Sequence, residues 1–187
     1  MRHAGVIFDL DGTLVDSRLD FDAMRAETGC PEGIGLLEYA DSLPPGEAQR
    51  VHEIVHQHEM AGATAAVWVP GAQAWLRALQ ADNVPTAILT RNSRPATELT
   101  LSRLGIEVEH VLTREDCRPK PDPQGLLMIA AAWGLPCENL VYVGDFLYDL
   151  QAARAAGMHA WFYDTGMHPE FGPLADRVIR DFDTLLA

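Results

Sequence analysis

Acidic residues follow two of the apolar runs in this sequence. In VIFDLDGTLVDS, Asp9 and Asp11 come directly after the apolar residues and are followed at once by Gly12. In VYVGDFLYDL, Asp145 directly follows a second apolar run and Asp149 lies four residues further on. Carboxylates in such positions suit a hard cation such as Mg²⁺ and a phosphoryl group that the cation bridges. A purely local alternative stays open for each motif, because D-G is a common turn dipeptide and an acid in the first turn favours the helix dipole.

Two further residues can offset the charge of these acids. Thr90 ends the run VPTAILT and can donate its hydroxyl, while Lys120 in RPKPDP lies between prolines and can present a point charge. Both would help to hold a phosphate dianion beside several carboxylates. Taken singly, a capping Thr and a solvated Lys remain the alternatives.

The elements that must position these residues are short strands alternating with helices. Runs that are apolar throughout predict strands buried on both faces, at residues 4–8, 84–90, 140–144 and 159–163, with edge strands at 109–113 and 177–181. The candidate helices are residues 71–82, 95–105, 122–134 and 147–157, of which the last three end in Gly, and a final helical turn is expected in DTLLA. The pattern predicts an α/β fold with a doubly wound, Rossmann-like parallel sheet.

A helical segment interrupts this alternation after the first strand. Between that strand and Trp68 the chain favours helix only, with breaks near residues 29–31 and 43–46. We expect a small α-helical cap of residues 17–68, inserted into a core formed by residues 1–16 and 69–187. Such an insertion belongs near the carboxyl ends of the strands, where α/β sheets bind ligands.

The composition excludes several classes of partner. A net charge of −13 and a pI near 4.8, with no cluster of Lys or Arg, argue against nucleic acid. With no signal-like start and no apolar run near 18 residues, we expect a cytoplasmic protein without a membrane partner. Three widely spaced cysteines, Cys30, Cys117 and Cys137, predict free thiols.

The stretch HEIVH, residues 52–56, matches the H-E-x-x-H pattern of zinc proteases. Helical spacing places both histidines off the face that carries the small and apolar residues. That face consists of Val51, Ile54, Val55, Ala61, Gly62 and Ala65. A third zinc ligand at the expected distance is missing from the sequence. We therefore expect a surface helix, with His58 on its apolar face.

The motifs together resemble those of the haloacid dehalogenase superfamily of phosphohydrolases, in particular its phosphoglycolate phosphatase-like members. The resemblance rests on D-x-D-G-T-L from Asp9, the strand-end Thr90, Lys120 before a proline, and G-D-x-x-x-D ending at Asp149, in the order typical of that family. It covers nearly the whole chain, and the helical insertion falls where the family carries a cap.

The resemblance implies a role for each of these residues. Asp9 would be the nucleophile that forms an aspartyl-phosphate, and Asp11 would act as acid and then as base. Mg²⁺ would be held by Asp9, the backbone carbonyl of Asp11 and Asp145, with Asp149 in support. The residues expected to contact phosphate are Gly12, Thr90, Arg91 and Lys120. Arg91 departs from the usual small or amide residue and could bind a substrate carboxylate or second phosphate, or could be a surface Arg.

The function implied is that of a Mg²⁺-dependent phosphatase acting on a small phosphorylated metabolite, for which phosphoglycolate is one candidate. A phosphomutase similar to beta-phosphoglucomutase is the main alternative, although the short cap disfavours it. A non-catalytic binding protein on the same fold is a further alternative, which the intact set of acids disfavours. The sequence leaves the protein a monomer or a homodimer.

Overall fold

Six parallel strands form the central sheet of the computed structural model, which describes residues 3–186. The strands of the chain are β1 (Gly5–Phe8), β2 (Val15–Asp16), β3 (Val67–Trp68), β4 (Thr86–Leu89), β5 (His110–Leu112), β6 (Leu140–Gly144), β7 (His159–Tyr163) and β8 (Arg177–Ile179). The sheet has the order β5-β4-β1-β6-β7-β8, and each pairing is parallel. The four predicted central strands and both predicted edge strands are confirmed.

Helices cover both faces of this sheet. They are α1 (Phe21–Thr28), α2 (Leu36–Asp41), α3 (Pro45–Ala65), α4 (Ala72–Ala81), α5 (Arg94–Leu104), α6 (Gln124–Trp133) and α7 (Leu147–Ala156). Gly105, Gly134 and Gly157 end the last three in the left-handed conformation, as predicted. The expected turn near the C-terminus is a short 3-10 helix at Phe182–Leu185, and Ala187 lies outside the described residues.

Alternate residues of β1 belong to two different apolar clusters. Val6 and Phe8 pack with Trp75 on one face of the sheet, whereas Ile7 packs with Ile129 on the other. A strand with both faces covered must be apolar at every position, which explains the uninterrupted run in the sequence. The doubly wound α/β fold is therefore confirmed.

The helical insertion, residues 21–65, has an apolar cluster of its own. This cluster joins α1, α2 and α3 through Met24, Cys30, Leu36, Ala40, Val51 and Val55. The ends of the insertion meet in an antiparallel ribbon, where Val15 pairs with Trp68 and Asp16 with Val67. The sequence pattern does not reveal this ribbon because its strands are only two residues long. The exact limits of a cap at residues 17 and 68 stay a prediction.

Helix α3 buries a stripe that differs from the predicted one. Val51, Val55, Glu59, Gly62 and Ala63 are buried and Ile54 is half-buried, whereas Ala61 and Ala65 are exposed, so the predictions for these two alanines were wrong. The reason is Glu59, whose carboxylate pairs with Arg114 of the sheet domain and turns its side of the helix inward.

The two histidines of HEIVH are exposed, as predicted. His58 is half-buried and its Nε2 lies 3.1 Å from Oε1 of Glu27 on α1, so it joins two helices of the insertion. Within residues 3–186, the one group of three close potential metal ligands lies elsewhere, at the strand ends. The structure gives the zinc-protease pattern no support.

The strand order places β1 beside β6, although many residues separate them in the chain. The chain leaves β1 toward β4 and β5 and then returns to β6 on the other side of β1. Ligands of open α/β sheets bind at such a switch point, outside the carboxyl ends of the strands. Within residues 3–186, no helix combines the length and apolar character needed to cross a bilayer.

Candidate active site

Three carboxylates converge where β1 and β6 end. Asp9 follows β1, Asp145 follows β6 and Asp149 lies in the first turn of α7, and each offers an oxygen within 4.8 Å of the others. Asp9 and Asp149 are buried. Because buried like charges repel strongly, such a cluster requires compensating positive charge.

Lys120 supplies one positive charge in the middle of the cluster. It is the only lysine in the sequence, and it is 3% exposed. Its Nζ lies 2.8 Å from Asp9 Oδ1, 2.6 Å from Asp149 Oδ1 and 2.8 Å from the Tyr142 hydroxyl. An ammonium has three N–H donors, so all three have protein acceptors and a phosphate would have to displace one of them.

Tyr142 is a site residue that the sequence analysis missed. It lies on β6, and its hydroxyl donates to the carbonyl of Leu89 at 3.0 Å while accepting from Lys120. The same oxygen is 3.1 Å from Asp149 Oδ1. In LVYVG a tyrosine among aliphatic residues looks like core packing, and the hydroxyl in an otherwise apolar strand was the available signal.

The pKa values reflect an excess of negative charge. Burial raises the pKa of Asp9 well above its ordinary value, with Lys120 opposing the shift and Asp149 and Asp145 adding to it. Burial, followed by the charge of Asp149, raises the pKa of Asp145 to about 7. Burial lowers the pKa of Lys120, but the charges of Asp149 and Asp9 outweigh this and the net pKa is raised. One lysine thus leaves three acids undercompensated.

Asp149 has both of its oxygens occupied by the protein. Oδ1 accepts from Lys120, and Oδ2 accepts the backbone N–H of Phe146 at 3.0 Å at the start of α7. Asp149 therefore both stabilises the start of α7 and takes part in the charge cluster, so the two interpretations of this residue hold together. The side chain is placed to hold Lys120 rather than to bind a ligand directly.

Asp11 has one oxygen anchored and the other free. Its Oδ2 accepts from Nδ2 of Asn92 at 2.9 Å, whereas its Oδ1 is buried and has no partner among residues 3–186. A buried carboxylate oxygen without a partner is costly, and it indicates a ligand or substrate atom at that position. Asn92, which follows β4 by three residues, was not recognised from sequence as the anchor.

Gly12 provides space rather than a hydrogen bond to phosphate. Its N–H donates to the carbonyl of Val15 at 2.7 Å, so this donor is taken. Its φ of 84° is in the left-handed region, and a Cβ there would overlap the carboxylate of Asp145. Thr13 next to it donates its hydroxyl to Asp145 Oδ1 at 2.9 Å. The D-G-T sequence therefore lets Asp145 approach and then holds it.

Thr90 is buried at the end of β4, the strand next to β1. Its Oγ1 accepts the backbone N–H of Asn92 at 3.0 Å, which leaves the hydroxyl proton as a donor. This geometry suits the predicted contact with a phosphoryl oxygen, which stays a prediction.

Arg91 joins the helical insertion to the strand-end loops. Its Nη2 lies 2.6 and 2.8 Å from the two carboxylate oxygens of Glu38 on α2. Its Nη1 donates to the carbonyl of Lys120, and its guanidinium carbon lies 4.8 Å from the ring centre of Tyr148. The sequence offered a substrate anion or solvent as the partner of Arg91, whereas the structure gives it a carboxylate of the same chain.

A second ion pair crosses the same boundary. Glu59 of α3 is 6% exposed and pairs with Arg114, which also donates to the carbonyl of Arg91 at 3.3 Å. The other oxygen of Glu59 is buried without a partner among residues 3–186. Val51, Val55 and Glu59 follow one another at intervals of four residues, and this spacing could have indicated from the sequence that Glu59 lies on the buried stripe.

The donor set fits a hard divalent cation. Carboxylate oxygens predominate, the acids outnumber the single lysine, one buried oxygen of Asp11 lacks a partner among residues 3–186, and Gly12 lets the Asp145 carboxylate approach. Oxygen ligands of this kind suit Mg²⁺ better than zinc, which prefers nitrogen and sulfur. Added positive charge would also lower the raised pKa values of Asp9 and Asp145.

Comparison with known proteins finds related hydrolases. A family model described as haloacid dehalogenase-like hydrolase matches residues 3–157. The chain is 34% identical to a phosphoglycolate phosphatase of Cereibacter sphaeroides, over 87% of this chain and 85% of that protein. It is 30% identical to an N-acetylmuramic acid 6-phosphate phosphatase of Pseudomonas aeruginosa, over 92% and 87% of the two chains.

A solved structure of beta-phosphoglucomutase from Clostridium difficile has the same fold. Its TM-score is 0.78 at 20% identity, with 98% of this chain and 93% of that chain covered. A likeness at this identity concerns the fold alone. The match over residues 3–157 and the two relatives establish more: the chain belongs to the haloacid dehalogenase-like hydrolase family.

Proposed function

We propose that this hydrolase is a Mg²⁺-dependent phosphatase that cleaves a small phosphorylated metabolite through an aspartyl-phosphate on Asp9. The observation that carries the proposal is the convergence of Asp9, Asp145 and Asp149 around a buried lysine at the switch point of the sheet. The phosphatase names of two relatives support the class of reaction.

Asp9 is the proposed nucleophile because, among residues 3–186, hydrogen bonds hold only one of its carboxylate oxygens. Oδ1 accepts the N–H of Leu10 and an N–H of Lys120, both at 2.8 Å, which fixes the carboxylate and leaves Oδ2 to attack phosphorus. The new bond joins Oδ2 to phosphorus, and the ester bond to the leaving alcohol breaks in line with it.

Asp11 is the proposed acid and base. Asn92 anchors its Oδ2, so the free Oδ1 can carry a proton to the leaving alkoxide. The same oxygen then takes a proton from the water that attacks the aspartyl-phosphate, and phosphate is released with Asp9 restored.

Asp9 and Asp145, with the backbone carbonyl of Asp11, are the proposed ligands of Mg²⁺. When bound, the cation supplies positive charge beside the phosphoryl oxygens. Asp149 acts through Lys120, whose charge lies between Asp9 and Asp149. Thr90 is the proposed donor to a phosphoryl oxygen, with Lys120 adding its charge.

The helical insertion is proposed to cap the site, since both Glu38 and Glu59 bind arginines next to the strand-end loops. A mutase must exclude water while it returns the phosphoryl group to a sugar. The side chain of Glu38 at this boundary is 43% exposed, so water reaches it, which favours hydrolysis over mutase chemistry. A non-catalytic binding protein is disfavoured because Asp9, Asp11, Asp145 and Asp149 are all present. The predicted cytoplasmic location stays a prediction.

Phosphate release from a panel of phosphate esters, with Mg²⁺ or EDTA, tests the proposal. Wild type should release phosphate only with the metal, and Asp9→Asn should reduce the rate by at least about 10³-fold because the nucleophile is lost. Asp82→Asn, which changes an exposed acid at the end of α4, is the matched control and should behave as wild type. A folded, Mg²⁺-loaded wild type that hydrolyses no ester of the panel would contradict the proposal.

A further inference from the structure

Three observations place Arg91 next to the proposed site. It follows Thr90 directly in the chain, its Nη1 reaches the carbonyl of Lys120, and its guanidinium stacks on Tyr148, the residue before Asp149. If a phosphoryl group binds at the proposed site, the remainder of the substrate would lie near this cation. In the structure, however, this cation already has an anion.

Glu38 neutralises Arg91 by placing both carboxylate oxygens against one guanidinium nitrogen, Nη2, in a charge-assisted contact. The pair is close-range and partly withdrawn from water, since the side chain of Arg91 is largely buried. A substrate carboxylate that sought Arg91 would have to displace Glu38, and both negative charges would then remain near the acids of the site. The protein as a whole carries a net charge of −13, which adds to this repulsion.

Aromatic surface lies beside this neutralised cation. Phe146, directly after Asp145, is 39% exposed, and its ring is 5.2 Å from that of Tyr148 in an edge-to-face arrangement. Rings of this kind pack against the C–H groups of a sugar or polyol without requiring charge on it. The neighbourhood of Arg91 thus offers apolar faces and a satisfied ion pair.

We infer that Glu38 and Arg91 form a selectivity filter, which admits phosphate esters of uncharged alcohols such as polyols and sugars and disfavours esters that carry a carboxylate. The inference rests on the phosphatase function proposed above and narrows its substrate class. It separates this chain from its phosphoglycolate phosphatase relative, whose name states a carboxylated substrate.

Two substrate pairs isolate the effect of the carboxylate. Glycerol 3-phosphate and 3-phosphoglycerate differ in one terminal group, as do 2-hydroxyethyl phosphate and phosphoglycolate. Wild type should show a kcat/KM at least about tenfold higher for the alcohol of each pair, mainly through KM, because the barrier is a repulsion in binding. Glu38→Gln should shift this ratio by at least about tenfold toward the carboxylate, since Arg91 then becomes available to it.

Two further variants make the assignment specific. Arg91→Gln added to Glu38→Gln should abolish the gain for the carboxylated esters. Glu53→Gln removes the same charge from an exposed position of α3 and should leave the ratio at its wild-type value. A wild-type preference for the carboxylated esters, or a ratio that Glu38→Gln does not change, would overturn the inference.

Binding to Asp9→Asn, measured by calorimetry with the same four esters and Mg²⁺, keeps this test separate from the phosphatase proposal. If the wild type releases no phosphate, the proposed reaction fails, but the ratio of Kd values still decides the filter. The filter is supported if Asp9→Asn binds the esters of the uncharged alcohols more tightly than the carboxylated esters and if adding Glu38→Gln reverses this preference. It is rejected if both proteins bind the two kinds of ester equally.

Discussion

The hydroxyl of Tyr142 lies 2.8 Å from Nζ of Lys120 and 3.0 Å from the carbonyl of Leu89, and it thereby ties the lysine to strand β4, which lies on the other side of β1 from β6. The lysine has no other uncharged acceptor among the described residues, since its remaining contacts are carboxylates. A tyrosine in the core thus fixes where the positive charge of the site lies.

Tyr142→Phe should lower kcat by about tenfold and change KM little, because Lys120 loses one of three anchors while the substrate loses no contact. The buried carbonyl of Leu89 also loses its donor, so the free energy of unfolding should fall by about 1–3 kcal/mol. Steady-state kinetics and urea denaturation measure the two effects. Tyr163→Phe, a half-buried tyrosine of β7, is the control for loss of a hydroxyl, and an equal loss of kcat there would refute the positioning role.

Lys120→Met should make Mg²⁺ bind more tightly while it makes the metal-free protein less stable. Removing the ammonium leaves buried carboxylates uncompensated, at a cost on the order of 3 kcal/mol, and it also removes a charge that repels the metal. Thermal denaturation across a Mg²⁺ titration, begun in EDTA, reports both quantities without any turnover. Arg118→Met, at an exposed position of the same loop, should alter neither, and weaker Mg²⁺ binding by Lys120→Met would count against the assigned site.

The stability of the metal-free protein should decrease as pH rises from about 4 to about 7. Burial, then the charge of Asp149, raises the pKa of Asp145 to about 7 from an ordinary value of 3.8, so the folded state holds a proton that the unfolded state has lost in this interval. Since the folded state binds more protons, the free energy of unfolding falls with pH, by on the order of 2–4 kcal/mol. The raised pKa of Asp9 acts in the same direction.

Urea denaturation in EDTA at several pH values checks this slope. Asp145→Asn should flatten it, because an amide does not titrate, whereas Asp82→Asn should leave it unchanged. If the free energy of unfolding in EDTA instead rises between about pH 4 and about pH 7, folding does not disfavour the charged form of these carboxyl groups, and the prediction fails.

The buried pair of Glu59 and Arg114 should be strongly coupled. Loss of either partner leaves the other charge poorly compensated, so Glu59→Gln or Arg114→Gln alone should cost about 2–4 kcal/mol, with a smaller added cost in the double variant. A double-mutant cycle by urea denaturation gives the coupling energy. Half-buried Arg94 and exposed Glu98, whose charged atoms are 3.8 Å apart on α5, form the reference cycle and should couple by less than about 0.5 kcal/mol. Equal coupling energies in the two cycles would contradict the structural role of Glu59.

The central strands and the convergence of acids were predictable for one physical reason. Strands buried on both faces must be apolar throughout, so β1 and β6 are visible as uninterrupted runs, and parallel strands bring their carboxyl ends to one edge. The sequence alone therefore predicts that Asp9 and Asp145 lie close together. The left-handed glycines at the helix ends were predictable for a similarly local reason.

The contacts between the helical insertion and the sheet domain were not predictable in this way. Glu38 lies 53 residues from Arg91 and Glu59 lies 55 residues from Arg114, so neither pairing leaves a local pattern. Glu59 then overrides the apolar periodicity of α3, which explains the wrong predictions for Ala61 and Ala65. Tyr142 was hidden for the opposite reason, since its ring behaves as an ordinary core residue and only its hydroxyl is unusual.

The single, buried lysine has a consequence for the chemistry of the whole surface. Reagents that acylate amines find no lysine side chain on the folded protein, because Lys120 is enclosed between Asp9, Tyr142 and Asp149. Labelling at Lys120 must wait until this part of the core opens, so its rate follows the frequency of local unfolding. The local unfolding that exposes the amine also separates Asp9 and Asp149 from their common counter-ion. Each labelled molecule has therefore passed through a state in which the site was disassembled.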